Sequence, residues 1–348
     1  MENETSEQEN IKRLAADPLY TLHAYKVACV KLGSIMCIFF VCRILSSLVS
    51  GFIATQFRGS DVLAYFLSYA AAVLLVYIVP LAFAVAITGS VRRYNGKLGE
   101  LYRKPKRLAR AFGTFPAMYG LGFGIALLTL LFSLLISHFT GGQTYIEDVL
   151  QPTVIEPPSS IAGALMLVFL LVVIAPLFEE FLVRGIIFDT LKPFGNGIAI
   201  VFSSILFGLM HGSLNMLLYT TALGLALGYV RYATGSLFAV TILHALINSV
   251  AAAFLFLSSL VGITNGENKL VNTLLSIYTL AWFVLIIAGL IVFIIKIPVI
   301  RKYKVENPWK DVGGGRKALM FFTSAPAIIM LVLAFNEHAN NWLISLLL

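Results

Sequence analysis

The run SIAGALMLVFLLVVIAPLFEEFLVRGIIFD, residues 160–189, decides the reading of the whole chain. From Ile161 to Phe178 it holds no charged residue, and a helix needs roughly 20 apolar residues to cross the hydrocarbon core of a bilayer. Lipid offers the backbone no hydrogen-bond partner, so such a run must close its own bonds as a helix. A barrel strand would instead alternate apolar and polar residues over a much shorter span. The second half of the run nevertheless carries Glu179, Glu180, Arg184 and Asp189. An ionisable group inside a membrane helix is costly and by default marks function. One stretch therefore sets both the fold and the place to look for chemistry.

Outward from it, the apolar half of the pattern recurs. The 348 residues are 59% hydrophobic and 12% charged, against about 25% charged in a soluble domain, whose helices need a polar face. Apolar runs cover roughly 27–55, 62–88, 112–137, 160–188, 196–212, 214–231, 236–258, 271–296 and 318–336. The sequence predicts an all-α polytopic transmembrane helix bundle of about nine membrane helices. A polar N-terminus spans 1–26, three helices and a basic loop 27–159, a central core 160–258, and two helices with a second basic loop 259–348. No hydrophilic block is long enough to fold apart. Residues 1–26 lack the pattern of a cleavable signal peptide.

The net charge of +8 does not point to nucleic acid, because the basic residues lie between apolar runs. Segment 89–111 carries Arg92, Arg103 and Lys104 among others, and 297–317 carries Arg301, Arg316 and Lys317, whereas 138–159 has Glu147, Asp148 and Glu156 and no Lys or Arg. With nine alternating helices, the positive-inside rule puts the N-terminus in the cytoplasm and the C-terminus outside the cell membrane. Cys29, Cys37 and Cys42 all sit in the first run and form neither a disulfide framework nor a zinc spacing. Gly224 and Gly228 are spaced for close helix packing, and Gly313 to Gly315 read as a flexible joint.

The ionisable residues inside the runs are few. Glu179 and Glu180 point about 100° apart on a helix, and Arg184 lies one turn on from Glu180. Those two can neutralise each other. Glu179 has no cation at such spacing and must find a polar partner elsewhere in the bundle or be protonated. The turn signal Lys192 to Gly197 lies midway between Glu179 and His211. Two straight helices would then place carboxylate and imidazole at one level, roughly 24 Å from the turn. His244 and Asn248 share a face and suit either an oxyanion hole or an ordinary helix–helix hydrogen bond. By the same arithmetic His244 is shallower than His211, so spacing does not join all four. Phe207, one turn before His211, is either a drying wall or plain packing. Arg43 has no assigned role, and His23, His138 and His338 are expected in water. No His-Glu-x-x-His occurs, although two His and a Glu could still serve zinc. Gly-x-Ser-x-Gly and Gly-x-Gly-Asp are also absent.

Glu-Glu-x-x-x-Arg at 179–184, Phe-x-x-x-His at 207–211 and His-x-x-x-Asn at 244–248, on successive membrane helices, resemble the CAAX protease and bacteriocin-processing (Abi) family over about 160–258. The resemblance implies a glutamate-type intramembrane endopeptidase without metal or other cofactor. Its substrate would be a membrane-associated peptide or protein within the lipid bilayer. By position, Glu179 and His211 would activate water, His244 and Asn248 would stabilise the oxyanion, and Glu180, Arg184 and Phe207 would support the site. Two other readings use the same residues. One is a transporter or proton-coupled carrier, for which related halves with interrupted helices are expected and are not seen. The other is a non-catalytic scaffold or bacteriocin-immunity protein. Nothing in the sequence sets the oligomeric state.

Overall fold

The computed structural model describes residues 18–57, 61–90, 98–105, 108–140, 158–212, 214–300, 305 and 312–334. Every apolar run falls on a helix, and among the described residues there is no strand. In chain order α1 is Pro18–Gln56, and α2 joins Asp61–Ala72, a π-helical Val73–Ile78 and Val79–Thr88. Helix α3 is Phe115–Thr140. Helix α4 joins Ile161–Phe169, a π-helical Leu170–Ile174, Ala175–Glu180, a second π-helical Phe181–Ile187 and Phe188–Leu191. Then come α5 Asn196–Met210, α6 Leu214–Thr234, α7 Leu237–Ile263 and α8 Lys269–Ile300, and last the bent α9, Gly314–Phe322 followed by Ala325–Ala334. This is an all-α polytopic membrane bundle.

Five of these helices (α1, α2, α4, α7 and α8) are long and apolar enough to cross a membrane, or six if α9 is counted as one broken span. Its two halves meet at 75°, and neither is long enough to cross alone. A single straight ninth span is therefore not what forms. Nor do Gly314 and Gly315 act as a loose joint: they begin the first half of α9. Most of the Lys and Arg residues of the two basic segments, together with Glu147, Asp148, Glu156 and His338, lie outside the described residues.

Two apolar cores hold the bundle. One gathers Leu32 and Phe39 of α1, Leu182 and Ile186 of α4, Phe207 of α5 and Phe321 of α9. The other gathers Tyr119 of α3, Leu227 of α6, Leu243 of α7 and Ile286 of α8. Phe181 of α4 packs against both, so α4 is the seam between them. Helices in lipid gain little from apolar burial and associate through close approach. Accordingly a Cβ on Gly120 of α3 would fall 2.1 Å from the carbonyl carbon of Gly289 on α8. Gly224 plays the expected part too: a Cβ there would meet Ser204 Cα at 3.1 Å. Large side chains such as Leu280 and Ile295 on α8 face outward, where lipid would surround them.

Local signals place the helix ends near the site. Ser160 caps α4, its hydroxyl accepting from the Gly163 amide at 3.2 Å, and Ser236 caps α7 in the same way from Ala239 at 3.3 Å. The turn after α4 is a single 3₁₀ turn, Lys192–Phe194, closed by Gly195 at φ 136°, a value that favours glycine.

Candidate active site

The two π segments of α4 shape the site. Ala175 N–H bonds to Leu170 O, five residues back, in place of Leu171 O. Pro176 has no N–H to serve Leu171 O in turn. That carbonyl, stranded in an apolar bundle, accepts instead from Asn248 Nδ2 at 2.9 Å. The second segment repeats the device. Phe188 N–H goes to Val183 O, and the Arg184 carbonyl it would have served receives Arg231 Nε at 3.2 Å. Arg231 also pairs with Asp189 at 3.2 Å. Each wide turn thus leaves a carbonyl that a polar side chain of another helix satisfies, as the cost of a lone polar group in lipid demands.

Between the two segments stand the carboxylates. Glu180 is fully buried and, as its spacing predicts, accepts from Arg184 Nη1 at 3.0 Å. It also accepts from His244 Nδ1 at 2.8 Å. Arg184 donates further to Gly224 O at 3.1 Å and lies over the Phe207 ring, 4.4 Å from its centroid. Glu179 faces another way. Its side chain keeps 15% of its surface open, and it lies 3.9 Å from His244 Nε2. The Tyr77 ring of α2 packs on the neighbouring Phe178, 5.8 Å between centroids. The partner that its bare helical spacing called for comes from another helix, α7.

His244 therefore bridges the two glutamates, which the straight-helix arithmetic did not foresee. Wider π turns advance less along the axis per residue. Seven of the residues between Glu180 and the turn are π-helical, so Glu180 sits nearer the turn than an α-helix would put it, at the level of His244.

His211 caps the end of α5. Its Nδ1 is 2.8 Å from Phe207 O. A carbonyl only accepts, so Nδ1 carries the proton and Nε2 presents a free lone pair. The Phe207 ring stands edge-on to His211 at 4.8 Å and to His244 at 5.5 Å, walling the space between them. Helix α5 ends inside the bundle, and Arg43 of α1 closes it, donating to Met210 O and, at 3.2 Å, to His211 O. Glu179 and His211 thus share His244 and Arg43 as electrostatic neighbours.

Sequence reasoning left three participants without a role: Arg43, Tyr77 and Arg231. For Arg43 the signal was a cation alone in an apolar run. For Tyr77 it was Pro80, three residues on, which imposes on α2 the π turn that Pro176 imposes on α4. At the basic edge, Tyr102 stacks on Phe181 at 6.5 Å, and burial pushes its phenol up to about 12. His23 and His138 are exposed, as expected. Among the described residues no three His, Cys, Asp or Glu side chains are grouped to hold a metal ion.

Residues 161–250 match the family described as Rce1-like, type II CAAX prenyl endopeptidase. That segment contains the Glu, Arg, Phe, His and Asn positions described above and excludes Arg43 and Tyr77. No curated protein and no solved structure matches the chain.

Proposed function

With residues 161–250 a domain of the type II CAAX prenyl endopeptidase family, we propose that this membrane protein hydrolyses a peptide bond of a membrane-associated peptide or protein, using Glu179 and His211 to activate water. The observation that carries the reading is the unequal pair of carboxylates. Glu180 is sealed against Arg184, whereas Glu179 keeps an open face beside His244.

The chemistry rests on which atoms are committed. His211 Nε2 accepts one hydrogen bond from the water. Glu179 takes the water's proton as its oxygen adds to the scissile carbonyl carbon. Such a general base contributes about 10²–10⁴-fold. His244 Nδ1 is held by Glu180, so only its Nε2 is left to serve the oxyanion. Asn248 uses one amide hydrogen on Leu171 O and offers the other to the same oxyanion. Each such donor is worth about 10²–10³-fold. Glu179 then passes its proton to the leaving amine, and the new carboxyl group departs. Glu180, Arg184 and Phe207 hold His244 in place.

The substrate class is a chain anchored at the membrane: a prenylated C-terminus, a leader peptide or a membrane remnant. The basic segments between helices support an orientation with the N-terminus in the cytoplasm. We read the mechanism as metal-independent. The test is cleavage of a farnesylated Cys-a-a-X peptide by the purified chain. Glu179→Gln and His211→Ala should each abolish cleavage in a protein that still melts cooperatively, and a chelator should leave the wild type active. Cleavage surviving both substitutions would remove the assignment. Activity lost to a chelator and restored by zinc would replace it with a metallopeptidase.

A further inference from the structure

We infer that a cavity between the first turns of α1, the end of α2 and the α4–α5 turn binds the phosphate of an anionic lipid headgroup. The cavity holds about 410 Å³, within the roughly 300–1,000 Å³ of small-molecule sites. Tyr20, His23 and Lys31 line it from α1, Thr88 from α2, and Thr190 and Pro193 from the turn. No Asp or Glu is among its described lining residues. His23 and Lys31 share one face of α1, and helical side chains tilt toward the N-terminus, so Lys31 leans back toward His23. Neither makes a hydrogen bond or ion pair among the described residues. The Thr190 hydroxyl is buried at the wall without a hydrogen-bond partner, one χ1 step from the cavity. Behind the turn a further cation, buried Lys317 of α9, donates to Phe194 O at 3.1 Å. The carboxylate next to Thr190, Asp189, is taken by Arg231. An ammonium, an imidazole and a spare hydroxyl thus surround a space with no anion of its own.

Depth and opening point to a lipid. Helix α1 has 39 residues, about 58 Å of helix, against about 30 Å of hydrocarbon. Arg43 closes α5 inside the bundle, and Lys31 precedes it by about 18 Å of helix, which puts the ammonium at headgroup level. Thr88 is the last residue of α2 and leads into the segment carrying Arg92 and Arg93, so the cavity lies at the basic edge of the bundle. Its mouth is apolar and aromatic: Val27 and Tyr20 both line it and are 40% and 43% exposed. Tyrosines favour this interfacial level. Basic pockets between membrane helices suit anionic headgroups, and a mouth through Val27 leaves the acyl chains in the bilayer.

The test titrates the full chain, stripped of lipid in a neutral detergent, with dioctanoyl phosphatidylglycerol, dioctanoyl phosphatidylcholine and inorganic phosphate. Bound lipid is counted by native mass spectrometry, and stability is read from thermal melting. Phosphatidylglycerol should bind one per chain, saturably, and raise the melting temperature as any ligand of the folded state does. The other two should not. Lys31→Gln and His23→Gln should each weaken that binding about 10-fold, the loss of one hydrogen bond to a charged group. Lys26→Gln, exposed on the same helix but outside the cavity, should leave it unchanged. Lys31→Arg should retain it and covers the case in which the glutamine variant does not fold. Equal phosphatidylglycerol affinity in the Lys31, His23 and Lys26 glutamine variants overturns the inference, as does equal affinity for the two lipids. Inorganic phosphate that binds through Lys31 and displaces phosphatidylglycerol overturns the lipid as the source of the phosphate. No readout depends on cleavage, so failure here leaves the proposed function standing.

Discussion

Arg43→Met tests how α5 can stop inside a membrane. The last carbonyls of a helix have no intrahelical partner, and Arg43 supplies hydrogen bonds to two of them, Met210 O and His211 O. Methionine keeps most of the side-chain bulk and removes every donor. A buried acceptor left unmade costs about 1–3 kcal/mol, and a cation at a helix C-terminus contributes about 0.3–1 kcal/mol more when exposed. His211 is only half buried, so water can rescue one of the two carbonyls. The expected loss is about 2–4 kcal/mol, concentrated at residues 208–212. The assays are unfolding of the purified chain by denaturing detergent and hydrogen exchange of the α5 amides. Arg43→Lys, with one compact head for two acceptors, should fall between. A methionine variant within about 0.5 kcal/mol of wild type, with unchanged exchange at the end of α5, refutes the argument.

The same geometry makes other predictions. Glu180→Gln leaves Arg184 buried without its countercharge and should destabilise the fold by about 3–5 kcal/mol, whereas Glu179→Gln should melt near wild type; thermal scans of the two variants check the contrast. Gly224→Ala drives a methyl group to 3.1 Å from Ser204 Cα and Cβ and to 3.3 Å from Arg184 Nη2, and should cost about 1–3 kcal/mol by the same scan. Tyr102 ionises at about 12 in the folded chain and near 10 when unfolded. Its contribution is therefore complete below pH ~10 and is lost as pH rises toward 12, a slope in the melting temperature that Tyr102→Phe should remove.

The sequence reveals whatever a single helix carries by itself. The span of α4, the turn at Gly195 and the Glu180–Arg184 pair come from run length, one glycine and a four-residue spacing. Hidden from it are features set between helices or by changes of helical pitch. His244 reaches both glutamates because α4 is partly π-helical. Pro176 stands in the sequence, but nothing there marks it as the cause of the stranded Leu171 carbonyl that Asn248 satisfies. Arg43 and Tyr77 come from more than 100 residues upstream of Glu179, and no local rule connects them to it. The bend in α9 was hidden because its two apolar halves read as one continuous run.

The closing of α5 by α1 has a consequence for inheritance. Residues 161–250 are the part of this chain that matches a family model, yet the end of their second helix is finished by a guanidinium that lies outside the matched segment. Such a segment cannot be shuffled into a new gene as an independent module. A transplanted copy would carry raw carbonyl ends into lipid until some upstream helix evolved a donor for them. Chains cut between residues 140 and 158 should regain a finished α5 only when both fragments are made together.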